Sequence, residues 1–392
     1  NPLFSDDQRA QFREQFGADV TTIGSYIGKR NKEGGGRQDN LEHSSYRIVA
    51  GVEGELSDSW SYDVSFQYGS TASNSVYKND FYRPRIASAL GALGAAPCTG
   101  TCVPYPVFTY EGISPEVAAT LGGTGILNGL TTQTIVNAFV SGELDFTLPS
   151  SSMPLAAVVG VENREVEFER LADEVFALGD LAGQGGPTPS LVGGYNVREI
   201  FGELSVPLLD DAPAVESLIL DLGARYSDYN TSGGESTYKV AVDWTPVADW
   251  KIRASFNRAV RAPNVSELFA TQSLGLWQGD DPCAGATPEY TAAQCANTGV
   301  TAAQYGTISA SPADQYNGFF GGNPDLQPEI ADTVSFGVVA APFEGFNFSI
   351  DYWDIQLDDV IGTVGAELTL RQCAETGLGS FCDNITRAPG TG

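Results

Sequence analysis

Along several stretches of this chain every second residue is apolar. Tyr62, Val64, Phe66 and Tyr68 are separated by Asp63, Ser65 and Gln67. Leu218, Leu220, Leu222, Ala224 and Tyr226 alternate with Ile219, Asp221, Gly223 and Arg225. The same period recurs at Tyr238–Val240–Val242–Trp244, Ile252–Ala254–Phe256, Val334–Phe336–Val338–Ala340 and Phe346–Phe348–Ile350–Tyr352. A two-residue period places one set of side chains on each face of a β-strand. Weaker versions at 21–29, 46–54, 132–148, 155–168 and 195–208 bring the expected total to about eleven strands.

The connections carry a second pattern. Those at 55–59, 149–153, 209–215, 246–249 and 341–345 are short. Those at 71–131, 169–194 and 261–329, and the tail after 359, are long. A meander with tight turns at one rim and large loops at the other is the layout of an antiparallel transmembrane β-barrel. An apolar stripe also suits the core of a soluble sandwich, so periodicity leaves both open. Three features favour the barrel. The polar faces carry both signs of charge (Asp221, Arg225, Lys239, Asp243, Lys251, Arg253), as a wet interior permits. Trp60, Tyr226, Tyr229, Trp244, Trp250, Tyr352 and Trp353 sit near strand ends, where interfacial girdles form. Loops beyond about 15 residues are uncommon in compact domains unless they do something.

Composition narrows the field. The chain has 392 residues, 42% of them hydrophobic, and 49 acidic against 21 basic residues give a net charge of −28. That content is too apolar for disorder, and the sign opposes a nucleic-acid footprint. The single histidine, His43, excludes a multi-His metal site. It lies in the polar stretch 41–44 and is expected to be exposed. No apolar run is long enough for a transmembrane helix, which does not exclude strands that cross. No catalytic constellation emerges, so neither an enzyme nor a cofactor is expected. The chain opens Asn1-Pro2, which reads as a mature product or an internal piece. The six cysteines fall into local pairs, Cys98/Cys102, Cys283/Cys295 and Cys373/Cys382, all within the long connections. Such spacing in Gly/Pro-rich surroundings suggests three disulfide-pinned loops rather than a zinc site, which would have to gather thiolates from distant loops.

Two segments carry a family resemblance. Phe256-Asn-Arg-Ala-Val-Arg-Ala-Pro-Asn-Val-Ser-Glu-Leu-Phe269 resembles the strand-end signature of TonB-dependent outer-membrane receptors, roughly F-S-R-A-F-R-A-P-N-L-x-E-L-Y/F. Gly322-Asn-Pro-Asp-Leu-Gln-Pro-Glu-Ile330 is similar to that family's G-N-P-x-L-x-P-E, which opens the next strand after a long external loop. Ser227-Asp-Tyr-Asn-Thr-Ser-Gly-Gly234 is a softer match to its hairpin pattern. The resemblance implies that 1–392 is a receptor β-barrel portion. Its strands would span roughly 20–360, with external loops at 71–131, 169–194 and 261–329 and a disulfide-containing external loop at 360–392. About eleven strands are half of the family's 22-stranded barrel. No plug domain or TonB box is recognisable, and no terminal aromatic is present, so the chain is expected to be an internal portion.

Read from the residues, Ala262-Pro263 ends a strand because proline gives the ladder no donor. Asn323-Pro324 and Gln327-Pro328 are turn dipeptides. Arg258 and Arg261, near Glu267 and Glu329, suit charge-assisted pairs that anchor the returning loop to the rim. Pro263, Asn264, Leu268, Asn323, Pro324, Leu326 and Pro328 are expected to serve the same scaffold. The aromatic side chains Trp277, Tyr305, Tyr316, Phe319 and Phe320 are the candidates for stacking a ligand. The family implies import of a scarce ligand (an iron-siderophore, cobalamin, haem or an oligosaccharide) across the Gram-negative outer membrane. The energy would come through TonB, and outer-membrane lipid would surround the wall. Net charge −28 disfavours a purely electrostatic trap for anionic siderophores unless local arginines override it. A soluble, secreted acidic β-sandwich binding protein and a passive porin are the alternatives.

Overall fold

In the computed structural model, the alternating stretches become one antiparallel sheet. The structure describes residues 3–21, 29, 32, 35–109, 113–311, 313–390 and 392; most of the strand expected at 21–29 lies outside the described residues. After helix α1 (Asp6–Phe16) come β1 (Gln38–Glu55), β2 (Trp60–Phe81), α2 (Arg83–Leu90) and α3 (Pro115–Leu121). Next are β3 (Gly122–Thr147), β4 (Pro154–Ala172), α4 (Glu174–Leu178), β5 (Leu191–Ala212), β6 (Val215–Tyr229), β7 (Gly233–Val247) and β8 (Trp250–Arg261). The chain continues through α5 (Val265–Phe269), β9 (Ser273–Gln278), α6 (Ala292–Asn297) and β10 (Gln315–Phe320). It ends with β11 (Glu329–Phe343), β12 (Phe346–Asp358), α7 (Ala366–Thr376) and α8 (Gly379–Cys382). Ten strands form the sheet in the order β1-β2-β3-β4-β5-β6-β7-β8-β11-β12, and β9 and β10 make a separate two-stranded ribbon. Among the described residues the sheet is not closed: β1 and β12 are its edges.

Register turns the stripes into a continuous band. Directly opposed residues share a face. One row runs Val52, Val64, Ala138, Val161, Ile200 and Tyr226 across six strands. A second runs Trp60, Gly142, Ala157, Leu204, Leu222, Val240, Phe256 and Val334 from β2 to β11. The described residues leave this band open. Val161 is 53% exposed, Ile200 55% and Val334 50%, whereas a sandwich would bury all three. Trp244 and Trp250 lie on this face at the short-turn rim, and Tyr46, Tyr68, Tyr226 and Tyr238 edge it towards the long loops. Two expected girdle members differ: the register puts Tyr229 and Trp353 on the opposite face, with Val197 and Ser335.

That opposite face is polar. It carries Asp221, Arg225, Lys239, Asp243, Lys251 and Arg253. Lys251 pairs with Asp243 at 2.8 Å, and Arg253 reaches across β11 to Asp351 at 2.7 Å. Gly337 stands between those two in register, and a Cβ there would collide with the Asp351 carboxylate.

The strands reach further than alternation predicts. β2 continues to Phe81 and β3 starts at Gly122, which shortens the expected 71–131 connection to 82–121; the others shrink to 173–190 and 262–328. Past the apolar band both faces carry polar residues, Ser70 and Asn74 on the band side and Thr71, Ser73 and Ser75 on the other, so the two-residue contrast fades while the ladder continues. His43 accordingly lies within β1, where it is exposed, rather than in a connection. The 229–233 connection is a tight turn on the long-loop rim, with Gly233 at φ +83°. The tail holds two helices.

The buried apolar cores sit in the loops. Phe81, Ala89, Tyr105, Ile113, Val117 and Leu121 form one under the 82–121 connection, with Cys102 packed on it. Cys283, Cys295, Val300 and Ile308 form a second. Tyr77, Phe176 and Leu181 form a third beneath 173–190.

Candidate functional site at the long-loop rim

The two signature segments meet in one junction. β8 ends at Arg261 because Pro263, fully buried, cannot continue the ladder. Asn264 then caps α5: its side chain accepts from the Glu267 amide (2.9 Å), and the Glu267 carboxylate accepts from the Asn264 amide (2.7 Å). Leu268 is buried beneath this turn. The same Glu267 carboxylate accepts from Arg261 (3.0 Å), and Arg261 also donates to Glu329, 68 residues on (2.9 Å). Glu329 completes its bonding by accepting from the Ile361 amide (2.8 Å), which ties in the segment after β12. From the other side, the Asn323 amide donates to the Glu267 carbonyl (2.8 Å) and the Gly322 amide to the Ala270 carbonyl (2.7 Å). A Cβ at Gly322 would stand 2.7 Å from the Leu268 carbonyl and the Ala270 nitrogen, so this close approach requires glycine. Asn323 accepts from the Asp325 amide, which shapes the turn (3.0 Å); Pro324 is exposed, Leu326 half-buried and Pro328 buried.

Arg258 is placed differently from Arg261. It makes a two-pronged pair with Asp332 (2.8 and 2.6 Å) on the apolar-band face, with its guanidinium 5.6 Å from the Tyr238 ring. Asp332 was absent from the sequence candidates. The signal was there: in an antiparallel ladder, three residues back from Arg261 must face three residues on from Glu329. Sequence reasoning also missed the network on the polar face. Glu199, nearly buried, accepts from Arg164 (3.3 Å), Arg225 (3.1 Å) and Ser227 (2.5 Å), and Arg164 also pairs with Glu162 (2.6 Å). Glu162 and Arg164, two apart on β4, were the available clue.

All three cysteine pairs are disulfide-bonded, but they do not play one role. The three expected local pairings all form, and the Cys98–Cys102 link differs from the other two in burial. Cys283, Cys295 and Cys373 are fully buried within their loops, whereas Cys98 and Cys102 are half-buried at the margin of the 82–121 connection. Their ring spans only Thr99, Gly100 and Thr101, too few residues to enclose a core. It closes a surface turn instead, with Gly100 at φ +67° and the Cys102 amide donating to the Thr99 carbonyl (3.3 Å). Cys102 then packs against the buried Phe81–Leu121 cluster from its edge, so this link clamps a turn onto the cap.

The other two disulfides belong to one unit assembled from the 262–328 connection and the tail. Arg387 and Asp281 form a buried ion pair, with Thr298 accepting from the same guanidinium. Arg371 bonds Glu289 (2.6 Å) and Glu367 (2.9 Å), and Tyr290 donates to Glu375 (2.6 Å). The bond from Arg371 holds the Glu289 carboxyl below the usual carboxylate range, while donation to Glu375 pushes the Tyr290 phenol up.

The five aromatic candidates separate. Trp277 and Tyr316 are opposed across the β9–β10 ribbon and stack at 5.2 Å and 26°. Phe320 shares their face and lies over Gly275 and Gly318. Phe319 points to the opposite face with Leu274. Tyr305 is elsewhere, packed on the Cys283–Cys295 core and donating to the Tyr290 carbonyl (2.9 Å). Two clefts, of about 310 and 600 Å³, lie between β3, β4 and β5 and beside α2 and α3; the ribbon lines neither.

A family model described as TonB dependent receptor-like, beta-barrel matches residues 2–390. The chain belongs to this receptor β-barrel family. Among solved structures, it resembles the siderophore receptor PirA from Pseudomonas aeruginosa at 13% identity and TM-score 0.36, over 79% of this chain and 45% of that one. The ferric enterobactin receptor PfeA of the same organism matches at 12%, TM-score 0.36, over 82% and 53%. The RagAB peptide importer matches at 13%, TM-score 0.46, over 82% and 31%. The chain thus spans about half the length of these receptors or less. No curated protein matches the sequence.

Proposed function

We propose that this chain forms part of the wall and external rim of a Gram-negative outer-membrane receptor, which captures a scarce small ligand at the long-loop rim and imports it with energy delivered through TonB. The observation that carries this reading is the exposed apolar band running across the ten-stranded sheet, beside a rim on which both signature segments lock together. Such a band is stable where lipid surrounds it, and the polar face then lines the interior. The large loops, stapled by disulfides, stand on the side exposed to the oxidising exterior. TonB would act through a plug and TonB box outside this sequence.

The test uses the full-length receptor expressed in matched tonB-positive and tonB-negative cells. The protein is expected in the outer-membrane fraction, with ligand accumulation in the positive strain only. Equal accumulation in both strains favours the passive porin. Recovery as a detergent-free monodisperse soluble protein favours the secreted sandwich.

A further inference from the structure

The β9–β10 ribbon has two unlike faces. One leans on the 173–190 connection: Leu276 fills the space beside Gly185, and the Leu274 carbonyl approaches Gly186 so closely that a Cβ there would collide with it. The other face presents three rings on a floor of backbone. Trp277 and Tyr316 stack at one end, Phe320 lies at the other, and Gly275 and Gly318 face each other between them. Phe320 is 43% exposed.

Charge decides what this face can take. The 262–328 connection carries six carboxylates (Glu267, Asp280, Asp281, Glu289, Asp314, Asp325) and no lysine or arginine. The tail after β12 supplies two arginines, and both are engaged: Arg387 by Asp281, and Arg371 by Glu289 and Glu367. Neither segment leaves a cation to neutralise an anionic chelate, and a surface of one sign repels ligands of that sign; two further rim arginines, Arg83 and Arg85, stand on the 82–121 connection, with Arg85 over the Tyr82 ring and donating to the Gly122 carbonyl. Glu367 lies beside Trp277 at Gly279, already paired with Arg371, so it offers acceptor oxygens rather than an unbalanced charge. Flat rings flanked by balanced acceptors suit a molecule with an apolar C–H face and hydroxyl donors at its edge.

We propose that the Trp277–Tyr316–Phe320 face is a stacking platform for an uncharged, hydroxyl-rich ligand, an oligosaccharide in chemical class, and that this face rejects polyanionic ferric chelates. The proposal rests on the receptor reading above and names the ligand class of the same rim.

The experiment uses purified full-length receptor in detergent, titrated calorimetrically with three charge classes. These are neutral hexasaccharides (maltohexaose, xylohexaose, cellohexaose), the anionic ferric enterobactin, and the cationic ferrioxamine B. At least one neutral hexasaccharide is expected to bind. Trp277→Ala weakens it about tenfold, the size expected for loss of one aromatic partner, while Trp277→Phe retains most of the affinity. Heat-modifiable gel mobility establishes that each variant has kept its barrel. The proposal is overturned if no neutral sugar binds, if sugar binding is unchanged by Trp277→Ala, or if ferric enterobactin or ferrioxamine B binds instead. TonB-dependent accumulation of either iron complex would sink the platform and leave the receptor reading standing. Sugar binding without TonB-dependent uptake would do the reverse.

Discussion

The wall and the caps treat apolar side chains in opposite ways. In the wall, Val161, Ile200, Val240 and Val334 stay outside, and a polar network around Glu199 lies on the other face. In the caps, Val300, Ile308, Tyr105 and Leu121 are buried in small cores, each beside a disulfide. A cap obeys the rule of water-soluble domains, and cores this small need covalent staples. The wall violates that rule over its whole width. On the receptor reading proposed above, two solvents act on one chain: water shapes the loops, and hydrocarbon sets the outward face of the strands.

A charge placed on the apolar band probes this contrast hardest. In the full-length receptor refolded into lipid vesicles, Val240→Arg is expected to cost about 2–4 kcal/mol, whereas Ala241→Arg on the polar face costs close to nothing. Equal costs in equilibrium unfolding would remove the distinction between faces. Next come the staples. Removing the Cys283–Cys295 bond by a double Cys→Ala change should cost its cap about 3 kcal/mol while the wall's unfolding midpoint stays put. Limited proteolysis reads the cap and denaturant titration reads the wall. Smaller still is the anchor. Arg261→Ala leaves Glu267 and Glu329 without their shared partner, so the 262–328 loop should be cleaved faster by protease; unchanged cleavage contradicts the anchor.

A pH dependence follows for the disulfide-stapled unit. Glu289 titrates below its usual range because Arg371 bonds its charged form. Its contribution is therefore present above the ordinary carboxylate pKa of about 4.3 and fades as pH falls through the lowered folded value. Proteolysis by an acid-active protease should show the cap loosening below about pH 4, and Glu289→Gln should flatten that response. The smallest effect belongs to the β5–β6 turn. Ala214 holds φ +60°, with its carbonyl accepting from the Trp244 indole (3.1 Å). Ala214→Gly should relieve the left-handed backbone and gain about 0.5 kcal/mol.

What the sequence disclosed divides along the same line. Strands with an apolar face announced themselves at Tyr62–Tyr68 and Leu218–Tyr226, because one apolar and one polar face impose a contrast at each second residue. The outer ends of β2 and β3 were invisible, because beyond the band polar residues stand on both faces and Ser70, Thr71, Ser73 and Asn74 look like loop. The Arg261–Glu267–Glu329 junction was readable from residue types within short motifs. The Arg258–Asp332 pair and the Glu199 network needed register, which no single strand carries. Cysteine spacing gave the partners at Cys98–Cys102 but not the place of that link, since burial depends on what packs around it. The split of the aromatic candidates depended on strand parity within a ribbon whose two halves are far apart in sequence.

A receptor wall of this kind requires alternate residues of one strand to meet lipid and water. Nitroxide labels at positions 240 and 241 of the full-length receptor in liposomes test this by power-saturation EPR. Molecular oxygen, which concentrates in the bilayer, is expected to relax the label at 240, and a water-soluble nickel chelate the one at 241. Equal accessibility at both sites, or the reverse assignment, would contradict it.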